Sequence, residues 1–120
     1  GAHVPLHCTA SGKLFLAFMP RARRATMLAN LRLTRMTATT LTSPDALNAE
    51  CDAIAAQGHS YDREEFIDGL VAIAVPIRDT VGEVRAALAV HAPSARLPLD
   101  QAHLRLPALH AAAARMAALL

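Results

Sequence analysis

The sequence has few aromatic residues, little charge and little cysteine. It has no Trp, one Tyr and three Phe, so it offers no aromatic platform for single-stranded nucleic acid. Its net charge of +2 is too small to imply a polyanionic partner. Cys8 and Cys51 lie far apart without a C-x-x-C pattern, which favours a reducing cytoplasm. No apolar run approaches the ~18 residues of a membrane span, so we predict a cytoplasmic protein without a membrane partner.

Apolar residues make up 53% of the 120 residues, which is enough for the core of one globular domain. The first residues show no charged segment followed by an apolar one, so no signal peptide is expected. The six histidines do not form a metal-binding signature. His3 and His7 are four residues apart, but Pro5 between them forbids a helix that would bring them together. We therefore predict no metal site and no cofactor.

The segment from Gly69 to Pro93 shows the strongest structural signal. Two short apolar runs, Leu70 to Ile77 and Glu83 to His91, flank a connector with Asp and Gly. This pattern is typical of an antiparallel hairpin. Neither run alternates cleanly between apolar and polar residues, so we predict that both strands are buried on most of both faces.

Helix signals precede and follow this hairpin. Thr9 and Ser43 are suitable N-cap residues, and Gly58 suits the position after a helix end. Pro107 lies inside the last helical pattern and should kink or split that helix. The order of elements predicts an α+β fold in which helices flank an antiparallel sheet. The predicted helices cover about 10–18, 22–30, 44–57 and 99–120, with a Thr-rich connector over 31–42.

Several polar residues could carry chemistry, but each has a simpler structural explanation. Asp62 and Glu65 belong to an acidic cluster that could supply catalytic carboxylates, although a solvated loop is the favoured interpretation. Ser11 is followed by Gly12 and Lys13, but the full phosphate-loop motif is missing. Ser11 also lacks an acid partner for a catalytic triad, so we predict that the chain is not an enzyme.

Two further residues stand out within apolar segments. Cys51 lies on the apolar face of the third predicted helix and is predicted to belong to the core. His91 ends an apolar strand, and the sequence leaves open whether its ring faces a cavity or solvent.

Five segments, in order, resemble a known signature. Residues 5–17, PLHCTASGKLFLA, match the pattern P-L-H-x-T-A-x-G-K-x-x-L-A. Further matches follow: "L-T-x-x-T-x-x-T" near 33–40, "x-G-Y-x-x-D-x-E-E" at 57–65, "x-G-V-x-C-I-A-x-P-V" from 68, and "A-L-S-V-S-G-P" at 87–93. Together they resemble the effector-binding domain of IclR-type bacterial transcription regulators, over nearly the whole chain.

The resemblance implies a GAF-like fold, with a curved antiparallel sheet and helices on its outer side. A small effector, commonly an organic acid or aromatic metabolite, would bind in a cup on the sheet. Backbone N–H groups of Ala10, Ser11 and Gly12 would meet a carboxylate, as a helix N-terminus can. In full-length members a winged helix-turn-helix domain precedes this one and binds DNA as a dimer, often within a tetramer. That domain and the first strands of the effector domain are expected to be absent from residues 1–120.

The departures from the family pattern concern the effector pocket. The usual strand cysteine is Ala72 here, and two serines that often face the effector are Ala89 and His91. These replacements predict a less polar pocket and a more apolar effector, such as an aromatic acid whose carboxylate also meets His91. The full predicted effector site comprises Ala10, Ser11, Gly12, Asp62, Leu70, Ala72, Ala89 and His91.

An alternative function remains open at this point. The chain could be a GAF-like oligomerisation module with a degenerate pocket that binds no effector. A cavity lined by Ala10, Ala72, Ala89 and His91 would favour the sensor, and a packed interior would favour the module. The predicted partners are a carboxylic or aromatic acid, further copies of the protein in a dimer or tetramer, and DNA only through the preceding domain. The Ala-rich C-terminal helix could supply a contact surface.

Overall fold

The central strand of the sheet organises residues 5–120, the part of the chain that the computed structural model describes. Strand β2 (Leu70–Arg78) pairs antiparallel with β1 (Ser60–Arg63) on one side and with β3 (Val84–Pro93) on the other. His3, which the sequence pairs with His7, lies outside the described residues. The fold is α+β, as predicted, with helices α1 (Ala10–Phe18), α2 (Arg21–Asn30), α3 (Pro44–Gln57) and α4 (Leu106–Ala117).

Side chains of β2 alternate between two separate apolar cores. Ala72 and Ala74 pack with residues of α1 and α3, including Leu14 and Ile54. The larger β2 side chains point to the opposite face, where they meet α4 and the segment before it. Both faces of β2 are therefore covered, and the residues on the α4 side are Val71, Ile73, Val75 and Ile77.

The predicted hairpin is confirmed, but the predicted burial of its second strand is wrong. β3 is partly exposed along its length because, among the described residues, it has a neighbouring strand on one side only. Asp79 holds the turn, since its Oδ1 accepts the N–H groups of Val81 and Glu83 at 3.0 Å. Gly82 has a φ of +85°, a conformation that glycine adopts without steric cost.

The predicted helix ends are confirmed by capping hydrogen bonds. Thr9 Oγ1 accepts the N–H of Gly12 at 3.1 Å, and Ser43 Oγ accepts that of Ala46 at 3.3 Å. Gly58 ends α3 with a φ of +83°. Pro107 splits the last helical segment as expected: a 3₁₀ helix precedes it, and proline lies in the first turn of α4, where no helical N–H bond is lost.

Arg24, near the start of α2, is buried and caps another helix. Its Nε donates to the carbonyl of Leu16 and its Nη2 to that of Ala17, both in the last turns of α1. Its Nη1 donates to Asp52 Oδ1 on α3 at 2.7 Å. One arginine thereby ties three helices together. No helix within residues 5–120 is long and apolar enough to cross a membrane.

Candidate functional site

A cavity of about 440 Å³ lies beside the first turn of α1, above the end of the sheet that carries Leu70. The predicted site residues Ser11, Gly12, Asp62 and His91 also line it. Sequence reasoning missed the remaining lining, which is mostly apolar and consists of Leu6, Thr9, Phe15, Phe66 and Ile67.

Asp62 and His91 reach the cavity from one row of the sheet. Asp62 pairs with Ala72 across β1 and β2, and His91 pairs with the same alanine across β2 and β3. Directly opposite residues of antiparallel strands point to the same face. The pairing register therefore places one acid and one imidazole on either side of a small side chain.

Three predicted site residues, Ala10, Ala72 and Ala89, are not in the cavity lining. Ala10 and Ala72 are fully buried in the core beneath α1, and Ala89 packs against that core. Alanine side chains at these positions let the helix approach the sheet closely. Their small size therefore serves helix–sheet packing.

The first turn of α1 offers backbone donors beside the cavity. The first N–H groups of a helix have no partner within the helix. The N–H of Gly12 is engaged by the Thr9 hydroxyl, which in turn donates to the carbonyl of Pro5 at 2.7 Å. The N–H groups of Ala10 and Ser11 are left for an anion, which the helix dipole also favours.

Gly12 is required by close packing of the backbone. A Cβ at this position would lie 2.6 Å from Leu6 Cα and 2.7 Å from the Leu6 carbonyl oxygen. Backbone atoms cannot move away as a flexible side chain can. Glycine therefore brings the Leu6 wall of the cavity onto α1.

The acidic loop after β1 is buried, so the predicted solvated loop is wrong for two of its residues. Asp62 is 2% exposed and Glu65 is 3% exposed. Asp62 Oδ1 accepts the N–H of Glu65 at 2.8 Å, which stabilises the turn. Burial raises the pKa of the Asp62 carboxyl, and the nearby Glu65 carboxylate adds to this effect.

Lys13 compensates the buried glutamate, and sequence reasoning missed it. Its side chain is fully buried, with Nζ 2.8 Å from Glu50 and 2.9 Å from Glu65. Glu65 also accepts the backbone N–H of Arg63 at 2.9 Å. The one sequence signal was a single lysine within an otherwise apolar helix. Its partners lie 37 and 52 residues away, beyond the range of local patterns.

The Thr-rich connector fixes the loop that carries Phe66 and Ile67 into the cavity. The hydroxyls of Thr37, Thr39 and Thr40 donate to the carbonyls of residues 63–65, at 2.6–3.0 Å. At its other end the connector contacts the Leu6 wall, because His7 Nε2 lies 2.8 Å from the Thr34 carbonyl. The connector therefore holds two walls of the cavity.

A larger groove of about 690 Å³ lies at the other end of α1, next to Phe18 and Arg78. Most of its lining residues are exposed, and Arg78 lies over the Phe18 ring, 4.6 Å from its centre. It has neither a helix N-terminus nor a buried acid. The smaller cavity is therefore the better candidate for a specific ligand site.

Residues 5–120 contain no group of three or more potential ligands that could hold a metal ion. Cys8 and Cys51 are both fully buried, and the core position predicted for Cys51 is confirmed. Burial raises the pKa of each thiol to about 11. Neither thiol is therefore a nucleophile at neutral pH.

Comparison with known proteins gives one consistent family. The family model described as "Bacterial transcriptional regulator IclR C-terminal" matches residues 1–118. The "Probable transcriptional regulator SauR" of Cupriavidus necator is 41% identical over 97% of this chain and 46% of its own length. The HTH-type transcriptional regulator KdgR of Escherichia coli is 36% identical over 98% of this chain and 45% of its own length. The chain spans less than half of the length of the curated relatives it matches.

Solved structures agree with this assignment. The C-terminal domain of Escherichia coli KdgR superposes with a TM-score of 0.89 at 36% identity, over 98% of this chain and 72% of that one. A double mutant of the PobR inducer-binding domain from Acinetobacter, in complex with 3-hydroxybenzoic acid, gives a TM-score of 0.92 at 28% identity. That match covers 100% of this chain and 69% of the other.

Proposed function

The chain belongs to the family of C-terminal domains of IclR-type bacterial transcriptional regulators, and from this we propose that it senses an aromatic carboxylic acid. The relatives are transcriptional regulators and not enzymes. The effector would bind in the cavity beside α1 and change the DNA binding of the full-length regulator. This proposal rests chiefly on one observation, an apolar cavity beside the unpaired N–H groups of a helix N-terminus.

The composition of the cavity supports an apolar ligand body. Leu6, Phe15, Phe66, Ile67 and Leu70 contribute apolar side chains around it. Small-molecule sites are typically apolar with a few polar groups that fix orientation, and ~300–1,000 Å³ is their usual size. An aromatic ring fills such a space and buries a large apolar area.

The helix N-terminus supports a carboxylate at one end of the ligand. The N–H groups of Ala10 and Ser11 have no partner within α1, and Thr9 already caps Gly12. An anion at this position gains both direct hydrogen bonds and the helix dipole. His91 lies on another wall of the same cavity and adds a polar contact.

The cavity also favours the sensor over a module that serves only oligomerisation. A degenerate pocket would be expected to close as side chains fill it, since protein interiors pack to high density. Self-association stays a prediction, and the exposed apolar residues Met116, Leu119 and Leu120 near the C-terminus are candidates for a contact surface. DNA binding by a preceding winged helix-turn-helix domain likewise belongs to the proposal.

A thermal-shift screen tests the proposal, with benzoate and phenylacetate set against small oxoacids. A ligand at ~100 times its Kd stabilises the folded state by about 2.7 kcal/mol, so a binding acid raises Tm. Benzamide is the matched control because it keeps the ring without the charge. A rise with aromatic acids but not with benzamide supports the proposal. Binding of oxoacids alone, or of no acid, contradicts it.

A backbone variant tests the position of the carboxylate. Ala10→Pro removes one N–H at the first helical position, where proline is favoured. Thr9 before it already has extended backbone (φ −116°, ψ 150°), which suits a residue preceding proline. We expect weaker benzoate binding with helix α1 intact by circular dichroism. Unchanged affinity would exclude this N–H as a ligand donor.

A further inference from the structure

Asp62 is a buried carboxylate with unused hydrogen-bonding capacity. It is 2% exposed and lines the cavity. Oδ1 accepts the Glu65 N–H, whereas Oδ2 accepts no hydrogen bond from any residue of 5–120. A buried polar atom without a partner is costly, so a donor supplied by a ligand at Oδ2 would be favourable.

No protein cation pairs directly with Asp62. Lys13, the nearest lysine in the core, is bound to Glu50 and Glu65. His91 stands opposite Asp62 across Ala72 and is the other polar side chain of this sheet row. Adjacent strands lie about 4.8 Å apart, so the two backbones are separated by two such spacings. A small group between the two side chains can be reached from both.

The charges also fix which way a ligand binds. A ligand carboxylate is repelled by Asp62 and attracted by the N-terminus of α1. The end of the ligand that faces Asp62 must therefore donate a hydrogen bond. A neutral hydroxyl can do so, and it carries a far smaller desolvation penalty than an ammonium group among apolar walls.

We propose that the effector is a hydroxy-substituted aromatic acid whose hydroxyl group donates to Asp62 and contacts His91. This inference rests on the proposed function and adds to it the polar group at the second end of the ligand. Asp62 is then the specificity-determining residue, since it distinguishes a donor from an acceptor. His91 positions the hydroxyl from the other side of the row.

Titration calorimetry with a matched ligand series tests the inference. The probes are benzoate, 3- and 4-hydroxybenzoate, and the two corresponding methoxybenzoates, which cannot donate. A hydrogen bond to a charged group contributes about 1.5–3 kcal/mol, which corresponds to a preference of roughly 10–100-fold for one hydroxybenzoate over its methyl ether. This comparison uses the unaltered chain and requires no variant to fold.

Asp62→Asn separates the role of Oδ2 from that of Oδ1. The amide oxygen can still accept the Glu65 N–H, but the amide nitrogen presents a donor to the ligand. We expect the hydroxyl preference to disappear while benzoate affinity stays within a few fold. Asp68→Asn is the control, because Asp68 is exposed in the same loop and does not line the cavity.

The outcomes distinguish this inference from the proposed function. Equal affinities for benzoate, hydroxybenzoates and methoxybenzoates overturn the inference and leave the aromatic-acid site standing. A hydroxyl preference that persists in Asp62→Asn also overturns it. If none of these acids binds, the proposed function fails and the inference with it.

Discussion

The two faces of strand β2 differ in what they bury. Toward α4 the strand presents Val71, Ile73, Val75 and Ile77, which pack into an apolar core. Toward α1 it presents Ala72 and Ala74. The buried charged side chains of the described residues, Lys13, Arg24, Asp62 and Glu65, are associated with α1 and the site on this side.

This difference separates stability from ligand binding within one strand. Large aliphatic side chains on the α4 face give the greater hydrophobic stabilisation, about 0.8 kcal/mol for each buried methylene. Small residues and compensated charges on the α1 face leave room for a cavity with polar groups. Substitutions on the two faces should therefore change different measured properties, and the following predictions run from the largest expected effect to the smallest.

Lys13→Ala should have the largest effect on stability. Removal of the lysine leaves Glu65 buried without its cation, and breaking a buried pair costs about 3–5 kcal/mol. Urea unfolding measures the loss as a change in the free energy of unfolding. Arg63→Ala removes a half-exposed partner of Glu50 and should cost less than about 1 kcal/mol. Similar losses in both variants would contradict the assigned role of Lys13.

Ile73→Ala should destabilise the α4 face by about 3 kcal/mol, because it leaves a cavity in a fully buried core. Benzoate affinity of the folded variant should stay within about twofold, since Ile73 points away from the ligand cavity. Calorimetry well below the melting temperature gives the affinity. A large loss of affinity would show that the two faces are not independent.

Ala72→Val, one residue away on the opposite face, should show the reverse pattern. Two added methyl groups beneath α1 overpack the core and should cost about 1–3 kcal/mol. They also push α1 away from the row formed by Asp62 and His91, so benzoate affinity should fall. Unfolding and calorimetry on the same sample measure both effects. Unchanged affinity would argue against the close helix–sheet contact as a determinant of the site.

Asp62→Asn should have the smallest effect, visible in its pH dependence. Burial raises the pKa of Asp62 in the folded state above its unfolded value, so the native protein binds the proton more tightly. The stability contributed by this group therefore falls as pH rises through the folded pKa. We expect Asp62→Asn to gain stability relative to wild type at about pH 7, with a smaller gain at about pH 4.

Asp52→Asn provides the control of opposite sign. Hydrogen bonding to Arg24 lowers the pKa of Asp52, so its contribution is present near neutral pH and is lost as pH falls. This variant should be less stable than wild type at about pH 7 and approach it in acid. The same direction for both variants would contradict the assigned environments.

Local signals predicted the fold well because they act over a few residues. Thr9, Ser43 and Gly58 mark helix ends through capping chemistry, and Pro107 splits a helix through its missing N–H. The burial of β3 was not predictable in the same way. An apolar run shows what a strand can bury, whereas its exposure depends on which strands pair with it.

The site was only partly predictable for the same physical reason. Ser11 and Gly12 follow from the helix start, and Asp62 and His91 from the family resemblance. Phe66 and Ile67 reach the cavity because three threonine hydroxyls hold the preceding loop, more than 20 residues away in sequence. Such contacts join distant segments and leave no periodic pattern.

The most direct test is a titration of the ¹⁵N-labelled chain with benzoate, followed by NMR of the backbone amides. The account predicts that the Ala10 and Ser11 amide protons shift downfield as they form charge-assisted hydrogen bonds. Residues on α4 should change little. Changes centred on Phe18 and Arg78, or on α4, with Ala10 and Ser11 unaffected, would contradict a carboxylate site at the start of α1.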